Sequence, residues 1–198
     1  MTCLLLAMAL ASLTLPLAVE CAAAEAKIKM KIEFLKLDVP GGQTYSGGCC
    51  DALAVKRCDC ALCFGKYLHC DMQLQICAET GKAGSEGSPT QKCDADGVLV
   101  DTGVLKNNAD SFEFELGETY GEMTNPFQPI LKKDEELRLK FTLVDADSVG
   151  SNDLIHSFTK AYQLGELTSG VTTTQTVKAE RDDASTVTIT YKMTKYLV

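Results

Sequence analysis

Three aspartates follow one apolar segment at a spacing that suits a hard cation. Asp145, Asp147 and Asp153 form the pattern D-x-D-x5-D directly after Leu143 and Val144. Carboxylates on one loop tip repel one another unless a cation lies among them, and Ca²⁺ accepts six to eight oxygen ligands of this kind. The spacing therefore predicts a calcium site. A solvated acidic turn is the alternative, because the same residue types are common in turns.

Cysteines are the second set of reactive side chains. The chain has ten, eight of them lie between residues 49 and 93, and the last half of the chain has none. These eight are Cys49, Cys50, Cys58, Cys60, Cys63, Cys70, Cys77 and Cys93. In an oxidising compartment an even set predicts disulfides, whose connectivity the sequence leaves open. A zinc site on Cys58, Cys60 and Cys63 is the alternative, although no second cysteine pair at zinc-site spacing accompanies it.

The other two cysteines fall in an apolar amino-terminal segment. Residues 4–19 carry no charge, and the small residues 22–24 follow them, as signal peptidase requires. This run of about 16 residues is shorter than the roughly 20 that a membrane-spanning helix needs. We therefore predict a signal peptide over residues 1–24 and a secreted, extracellular domain over residues 27–198 that has no transmembrane segment.

The charge balance and the histidines limit the functions open to the chain. A net charge of −8 argues against a nucleic-acid partner, because phosphate binding relies on clustered Lys and Arg. His69 and His156 are the only two histidines, and neither belongs to a recognisable triad. We expect both at the surface. The sequence also lacks a phosphate loop, a nucleophile elbow and an HExxH zinc motif, so we predict that the protein is not an enzyme.

The segments that must position these residues alternate apolar and polar side chains, which is typical of half-buried β-strands. In the first segment the alternation slips near Leu35, as a β-bulge would cause. The residues that we expect on the inward faces are Ile28, Met30, Ile32 and Phe34; Leu62, Phe64, Leu68, Cys70, Met72, Leu74 and Ile76; Phe112, Phe114 and Leu116; Leu137, Leu139, Phe141 and Leu143; Val171, Thr173 and Val177; and Val187, Ile189, Tyr191 and Met193. Residues 154–164 are the one place where we expect a short helix.

Strands of this kind have one face in water, and their apolar face must pack against another part of the protein. A second sheet packed against the first is the most economical cover for antiparallel strands. The sequence therefore predicts an all-β protein, an antiparallel β-sandwich whose amino-terminal half is rich in disulfides.

Two stretches resemble known families. The sequence FTLVDAD at residues 141–147, with NDLI at residues 152–155, looks like the third calcium-binding loop of C2 domains. The Gly-Cys-Cys at residues 48–50, the spacing Cys63-x6-Cys70 and a Gly/Ser stretch that ends in Ser-Pro-Thr at residues 88–90 resemble the amino-terminal (MNNL) domain of Notch ligands of the Delta/Serrate/Jagged type. Those domains have a C2-like fold, so the two resemblances agree over roughly residues 27–198.

The resemblance implies a binding module that contacts a Notch-like extracellular receptor or membrane phospholipid, with calcium assistance, in cell-surface signalling. The sequence departs from the family because the DSL and EGF-like modules are missing from it and because Cys60 and Cys93 look additional to the cysteine pattern. The alternative function is a secreted structural or matrix protein that uses the sandwich as a scaffold.

The C2 resemblance also concerns the strength of calcium binding. In a C2-like site an opposing loop supplies further carboxylates, and we expect the candidates here, Asp38 or Asp51, to be displaced by a glycine- and cysteine-rich insertion. Few ligands can therefore be counted on. We expect weak binding, with a dissociation constant on the order of 10⁻⁴–10⁻³ M as in other extracellular calcium modules.

Overall fold

The structure is a computed structural model of the chain, and it describes residues 26–39, 71–83, 93–106, 109–146, 153–180 and 186–198. These residues contain eleven β-strands and no helix. The strands are β1 (Lys27–Asp38), β2 (Met72–Gly81), β3 (Val98–Lys106), β4 (Ser111–Glu113), β5 (Thr119–Tyr120), β6 (Met123–Thr124), β7 (Ile130–Lys132), β8 (Glu136–Asp145), β9 (Asp153–Gln163), β10 (Thr172–Glu180) and β11 (Thr186–Leu197). None of the described segments is a helix long and apolar enough to span a bilayer.

Two antiparallel sheets form the body of the fold. The five-stranded sheet has the order β10-β11-β1-β4, and β7 also pairs with β1. The four-stranded sheet has the order β3-β2-β8-β9, while β5 and β6 form a separate hairpin. The strand pairs in these sheets are antiparallel. The predicted all-β, antiparallel β-sandwich is confirmed.

The core lies between the two sheets and consists of the apolar side chains that the alternation places on one face. Phe34 of β1 is in ring contact with Phe141 of β8 and with Tyr191 of β11, at centroid distances of 6.4 and 5.7 Å. The fully buried members of the predicted runs are Ile28, Met30, Ile32, Phe34, Met72, Leu74, Ile76, Leu137, Leu139, Phe141, Leu143, Val187, Ile189, Tyr191 and Met193. Their burial confirms the inward face that we predict for β1, β2, β8 and β11.

One asparagine side chain binds the backbone of β1 next to a β-bulge. The register of β1 with β11 shifts between Phe34 and Lys36, where the sequence predicts the bulge. Here Asn125 accepts a hydrogen bond from the Phe34 N–H (2.9 Å) through Oδ1 and donates one to the Phe34 carbonyl (3.0 Å) through Nδ2. Its amide thus makes the hydrogen bonds that a neighbouring strand would make. It does so between the part of β1 that pairs with β7 and the part that pairs with β4.

The expected helix at residues 154–164 is wrong, because this segment is strand β9. The register of β8 with β9 shifts between Leu143 and Val144, so that Ile155 and His156 are both buried. From His156 onward the register with β8 is regular, and Phe158 pairs with Phe141. Two adjacent buried residues followed by apolar residues at later positions imitate the period of a helix, which explains the error.

Three further side chains differ from expectation, and one of them is Val171, which is 51% exposed because β10 begins only at Thr172. His156 is buried rather than at the surface, because it pairs with Leu143 and therefore lies on the inward face of β9. Leu116 is 66% exposed, since β4 ends at Glu113 and the chain leaves the sheet before this residue. His69 and the predicted strand residues 62–70 lie outside the described residues.

A pair of tyrosine hydroxyls joins the two sheets. Tyr162 of β9 and Tyr191 of β11 share a hydrogen bond between their hydroxyl groups. Burial, with the Tyr162 hydroxyl next to it, raises the pKa of Tyr191 far above its usual range. Burial also raises the pKa of Tyr162, although the hydrogen bond with Tyr191 offsets part of that effect.

These shifts predict that the fold is sensitive to alkali. A tyrosine whose folded pKa lies above its unfolded value of about 10 contributes stability that is present below that pH and is lost as the pH rises further. We expect the free energy of unfolding to fall above about pH 10, and to fall less steeply in Tyr191→Phe, which removes the raised group. Denaturant melts between pH 8 and pH 11, with Tyr196→Phe as the control, measure this slope. Equal slopes in the parent and Tyr191→Phe would contradict the assignment.

Candidate functional site

Two of the three predicted calcium ligands lie side by side at one end of the four-stranded sheet. β8 ends at Asp145, β9 begins at Asp153, and the two residues are direct cross-strand partners. Side chains in such a pair lie on the same face with Cβ atoms roughly 5 Å apart. The structure therefore brings Asp145 and Asp153 together, while Asp147 lies outside the described residues.

The two carboxylates differ in their surroundings. Asp145 is buried, and its Oδ1 accepts a hydrogen bond from the N–H of Asp71 at 2.7 Å. The N–H of Ala146 donates to the Asp71 carbonyl at 2.9 Å, which ties the end of β8 to the start of β2. Asp153 is exposed. Asp145 thus has a structural contact through one oxygen, and Asp153 faces solvent.

The predicted opposing acid Asp38 lies at the same end of the sandwich but in the other sheet. Lys195 of β11 donates to the Leu164 carbonyl just after β9, at 2.7 Å, so β9 and β11 finish at the same end. Since β1 is antiparallel to β11, β1 finishes at the opposite end, where β9 begins. Asp38 is paired there with Lys36 at 2.7 Å, and Asp51 lies outside the described residues. We call this end of the sandwich the acidic end.

The acidic end offers carboxylate oxygens of the kind that calcium prefers. Within the described residues it offers the adjacent carboxylates of Asp145 and Asp153, and one oxygen of Asp145 already accepts a hydrogen bond. A Ca²⁺ ion held by these two groups would take most of its six to eight oxygen ligands from water or from a partner. The affinity for calcium stays a prediction, because Asp147 and Asp51 lie outside the described residues.

One group of three metal-ligating side chains does occur in the part of the chain that the structure describes. It consists of Cys77, Glu79 and Cys93, whose donor atoms lie within 4.8 Å of one another. Cys77 and Cys93 form a disulfide, so neither sulfur is a thiolate, which is the form that binds metal. This pair confirms the disulfide prediction for two of the eight cysteines. The other six, and the alternative zinc site, lie outside the described residues.

Beside the disulfide lies a buried charged cluster that the sequence analysis missed. Glu79 is 1% exposed, and its Oε1 lies 2.8 Å from Nζ of Lys140 and 3.6 Å from a guanidinium nitrogen of Arg138. Arg138 also pairs with Glu136 at 3.0 Å. The Glu79 Oε2 accepts a hydrogen bond from the Asp94 N–H at 3.0 Å. We call Glu79, Glu136, Arg138 and Lys140 the buried charge cluster.

The buried charge cluster corrects the expectation that each strand has one wet face. Arg138 and Lys140 alternate with the core residues of β8 and were expected in water, yet both are buried on the outer face of the four-stranded sheet. The one sign of this burial in the sequence is the acid Glu79 on β2, which is the direct cross-strand partner of Arg138. Such pairing depends on strand register, which the sequence does not give.

Farther along the same face, Asp101 of the edge strand β3 is held by amide donors. Gln73 and Gln75 donate to its carboxylate at 2.8 and 2.9 Å, and the N–H of Gly103 donates at 2.8 Å. Burial alone raises the pKa of Asp101, but these hydrogen bonds outweigh it and hold the pKa below its usual range. The outer face near the start of β2 therefore carries a stable negative charge.

Comparison with solved structures identifies the fold, whereas the two comparisons by sequence find no match. No family model matches the chain, and no curated protein sequence matches it. Among solved structures, the Drosophila C2-DSL-EGF1 structure matches with a TM-score of 0.54 and 18% identity, over 85% of this chain and 67% of that chain. The fold is C2-like. The architecture that the Notch-ligand and C2 resemblances predict is confirmed.

Two other structures match at lower scores. Human GIVD cytosolic phospholipase A2 has a TM-score of 0.48 and 13% identity, and the match covers 88% of this chain but only 18% of the phospholipase. A C2 domain of plant Extended Synaptotagmin 1 has a TM-score of 0.47 and 12% identity, over 87% of this chain and 95% of that one. At this level of likeness neither structure bears on the activity of the C2-like chain.

Proposed function

We propose that this chain is a secreted, non-enzymatic binding module that contacts anionic phospholipid at the cell surface through its acidic end, with weakly bound calcium as the bridge. The pairing of Asp145 with Asp153 at one end of a C2-like sandwich carries the proposal. A domain that served only as a scaffold would gain nothing from placing two carboxylates side by side, because like charges directly opposite on a sheet are destabilising.

Bound calcium would explain why the two carboxylates lie side by side. The ion relieves the repulsion between the Asp145 and Asp153 carboxylates, and it prefers hard oxygen donors. Two protein carboxylates leave coordination positions that phosphate oxygens of a lipid headgroup can fill. The same ion would then hold the acidic end of a protein of net charge −8 against a negatively charged bilayer.

A receptor ectodomain is the second candidate partner. The likeness to the Drosophila C2-DSL-EGF1 structure favours it, together with the Notch-ligand resemblance of residues 48–90. The disulfide between Cys77 and Cys93 supports an extracellular location for either partner, because disulfides persist in oxidising compartments. A matrix scaffold, the alternative function, would need no calcium response at the acidic end.

We expect millimolar calcium to raise the melting temperature of the parent and to promote its binding to phosphatidylserine vesicles. At free calcium about tenfold above the dissociation constant, linkage gives a stabilisation of about 1.4 kcal/mol. Replacing Asp147 and Asp153 by Asn should abolish both effects. Asp145 is kept in this variant because its hydrogen bond to Asp71 supports the fold. Thermal melts and vesicle sedimentation, each in calcium and in chelator, are the measurements.

The matched control is Asp96→Asn with Glu166→Gln, which removes the same charge from exposed positions near the end of β2 and after the end of β9, at the other end of the sandwich. It should retain the full calcium response. An equal response in both variants, or none in the parent, would rule out the site. A calcium-dependent rise in melting temperature without vesicle binding would refute the lipid partner and favour a receptor.

A further inference from the structure

The outer face of the five-stranded sheet carries a row of lysines at the end opposite the acidic end. Lys27, Lys29 and Lys31 are alternate residues of β1, so their side chains lie on one face at intervals of roughly 7 Å. Lys132 of β7 is the direct cross-strand partner of Lys27. Cross-strand partners point to the same face, so four cations lie together there. We call these four residues the lysine row.

Three members of the lysine row keep a positive charge that nearby acids do not neutralise. Lys27, Lys29 and Lys31 form no ion pair in the segments that the structure describes. The next acid on the same face of β1, Glu33, is paired with Lys192 at 3.0 Å. The chain has 19 basic and 27 acidic residues and is therefore acidic overall, yet this face carries a strip of positive charge. Such local separation attracts polyanions even when the whole protein is acidic.

Two exposed apolar side chains flank the middle of the lysine row. Lys29 pairs with Ile130 on one side and with Tyr196 on the other, so the three lie in a line across β7, β1 and β11. Ile130 is 54% exposed and Tyr196 is 40% exposed. The Tyr196 ring is a flat amphipathic surface beside a row of cations. A ligand that carries its charges on a ring could pack that ring on the tyrosine while the charges contact the lysines.

We propose that the lysine row binds a sulfated polysaccharide chain, whose sulfate groups pair with the lysines while a sugar ring packs on Tyr196. A basic run of this length is typical of polyanion and heparin sites. Charge complementarity supports the assignment, and so does the disulfide between Cys77 and Cys93, which is typical of proteins exposed to the extracellular space where such polysaccharides occur.

The shape of the strip distinguishes this ligand from a flat bilayer. A membrane laid on the same face would also meet the Glu33–Lys192 pair and the uncharged exposed residues Thr172, Thr174 and Thr176 of β10. A narrow polyanion can follow the lysine row alone. Sulfate esters are spread along the chain and need no deep pocket, so an open strand surface is sufficient.

The test is binding of the full-length protein to heparin in chelator, which removes the calcium-dependent contact at the acidic end. The parent should bind heparin and not desulfated heparin, and the affinity should fall steeply with salt, because bound polyanions release counterions. Lys29→Gln with Lys31→Gln should weaken binding by about tenfold or more, judged from the contribution of a lysine beside an anionic surface. Circular dichroism confirms that the variant keeps its strands.

The control is Lys106→Gln with Lys160→Gln, which produces the same net charge by changing exposed lysines on the four-stranded sheet. It should bind heparin as the parent does. Tyr196→Phe, which keeps the ring, should also bind, whereas Tyr196→Ser should bind more weakly. The proposal is overturned if the parent does not bind heparin, if the two double variants lose the same affinity, or if phosphatidylserine vesicles are bound in chelator while heparin is not.

Discussion

Asn125→Ala is expected to destabilise the protein by about 2–6 kcal/mol, the sum for two buried backbone groups that lose their partners. The two groups are the N–H and the carbonyl of Phe34, which the Asn125 amide satisfies at the bulge of β1. Asn125 also donates to the Glu115 carbonyl at 3.2 Å. Since small domains have a total stability of roughly 5–15 kcal/mol, this one change should remove a sizeable share of the stability of the fold.

Chemical denaturation of the two proteins measures this cost. Thr124→Ala is the matched control, because Thr124 precedes Asn125, is exposed, and forms its hydroxyl contact with Thr119 at the surface. It should change the free energy of unfolding by less than about 0.5 kcal/mol. If Asn125→Ala costs less than about 1 kcal/mol, the bulge can find other hydrogen-bond partners, and the role assigned to Asn125 is wrong.

Removing the anion of the buried charge cluster should be nearly as damaging. Glu79→Met leaves the Lys140 ammonium and part of the Arg138 guanidinium buried without their counterion. Breaking a buried ion pair from one side typically costs about 3–5 kcal/mol, because the remaining charge stays out of water. The drop in the free energy of unfolding, measured by denaturant melts at neutral pH, is the expected result.

A second variant separates loss of the charge partner from loss of packing. Glu79→Met with Lys140→Met removes both charges, and Arg138 keeps its contact with Glu136, so the pair should cost less than Glu79→Met alone. Glu33→Gln breaks the more exposed pair with Lys192 and should cost no more than about 1 kcal/mol. Equal losses in the single and double variants at Glu79 would contradict the electrostatic explanation.

Most of the sandwich could be predicted because strand alternation depends on local sequence. Residues 28–34 and 137–143 show their buried face directly, and even the bulge near Leu35 is visible as a slip in the alternation. The segment at residues 154–164 failed for the same reason, since its own bulge disguises a strand as a helix. Alternation identified β1 because a long regular run precedes its bulge, whereas the bulge in β9 lies near the start of that strand.

Features that depend on pairing between distant segments could not be predicted. Phe34 and Asn125 are 91 residues apart, and nothing local marks Asn125 as the partner of the bulge. Glu79 and Lys140 likewise meet only through the alignment of β2 with β8. The wet face expected for β8 was wrong because an alternating polar residue can face either solvent or a buried partner, and the sequence does not distinguish the two.

The candidate calcium site could be predicted only in part. The spacing D-x-D-x5-D predicts three aspartates on one loop tip after a strand, and in the structure Asp145 is the last residue of β8 and Asp153 is its cross-strand partner. The burial of Asp145 and its hydrogen bond to Asp71 were not predictable, since they depend on the 74-residue separation between those two residues. The calcium ligand set therefore stays a prediction, and the position of two of its members is established.

The pairing of β1 with β11 also has a consequence for biosynthesis. Ile28 lies opposite Leu197, so the strand made early in synthesis has its longest partner among the last residues described. The five-stranded sheet cannot close until that partner leaves the ribosome, whereas β8 and β9 can pair as soon as both have emerged. Until then β1 presents an open, apolar edge of the kind that chaperones bind, and such distant pairings are slow to form.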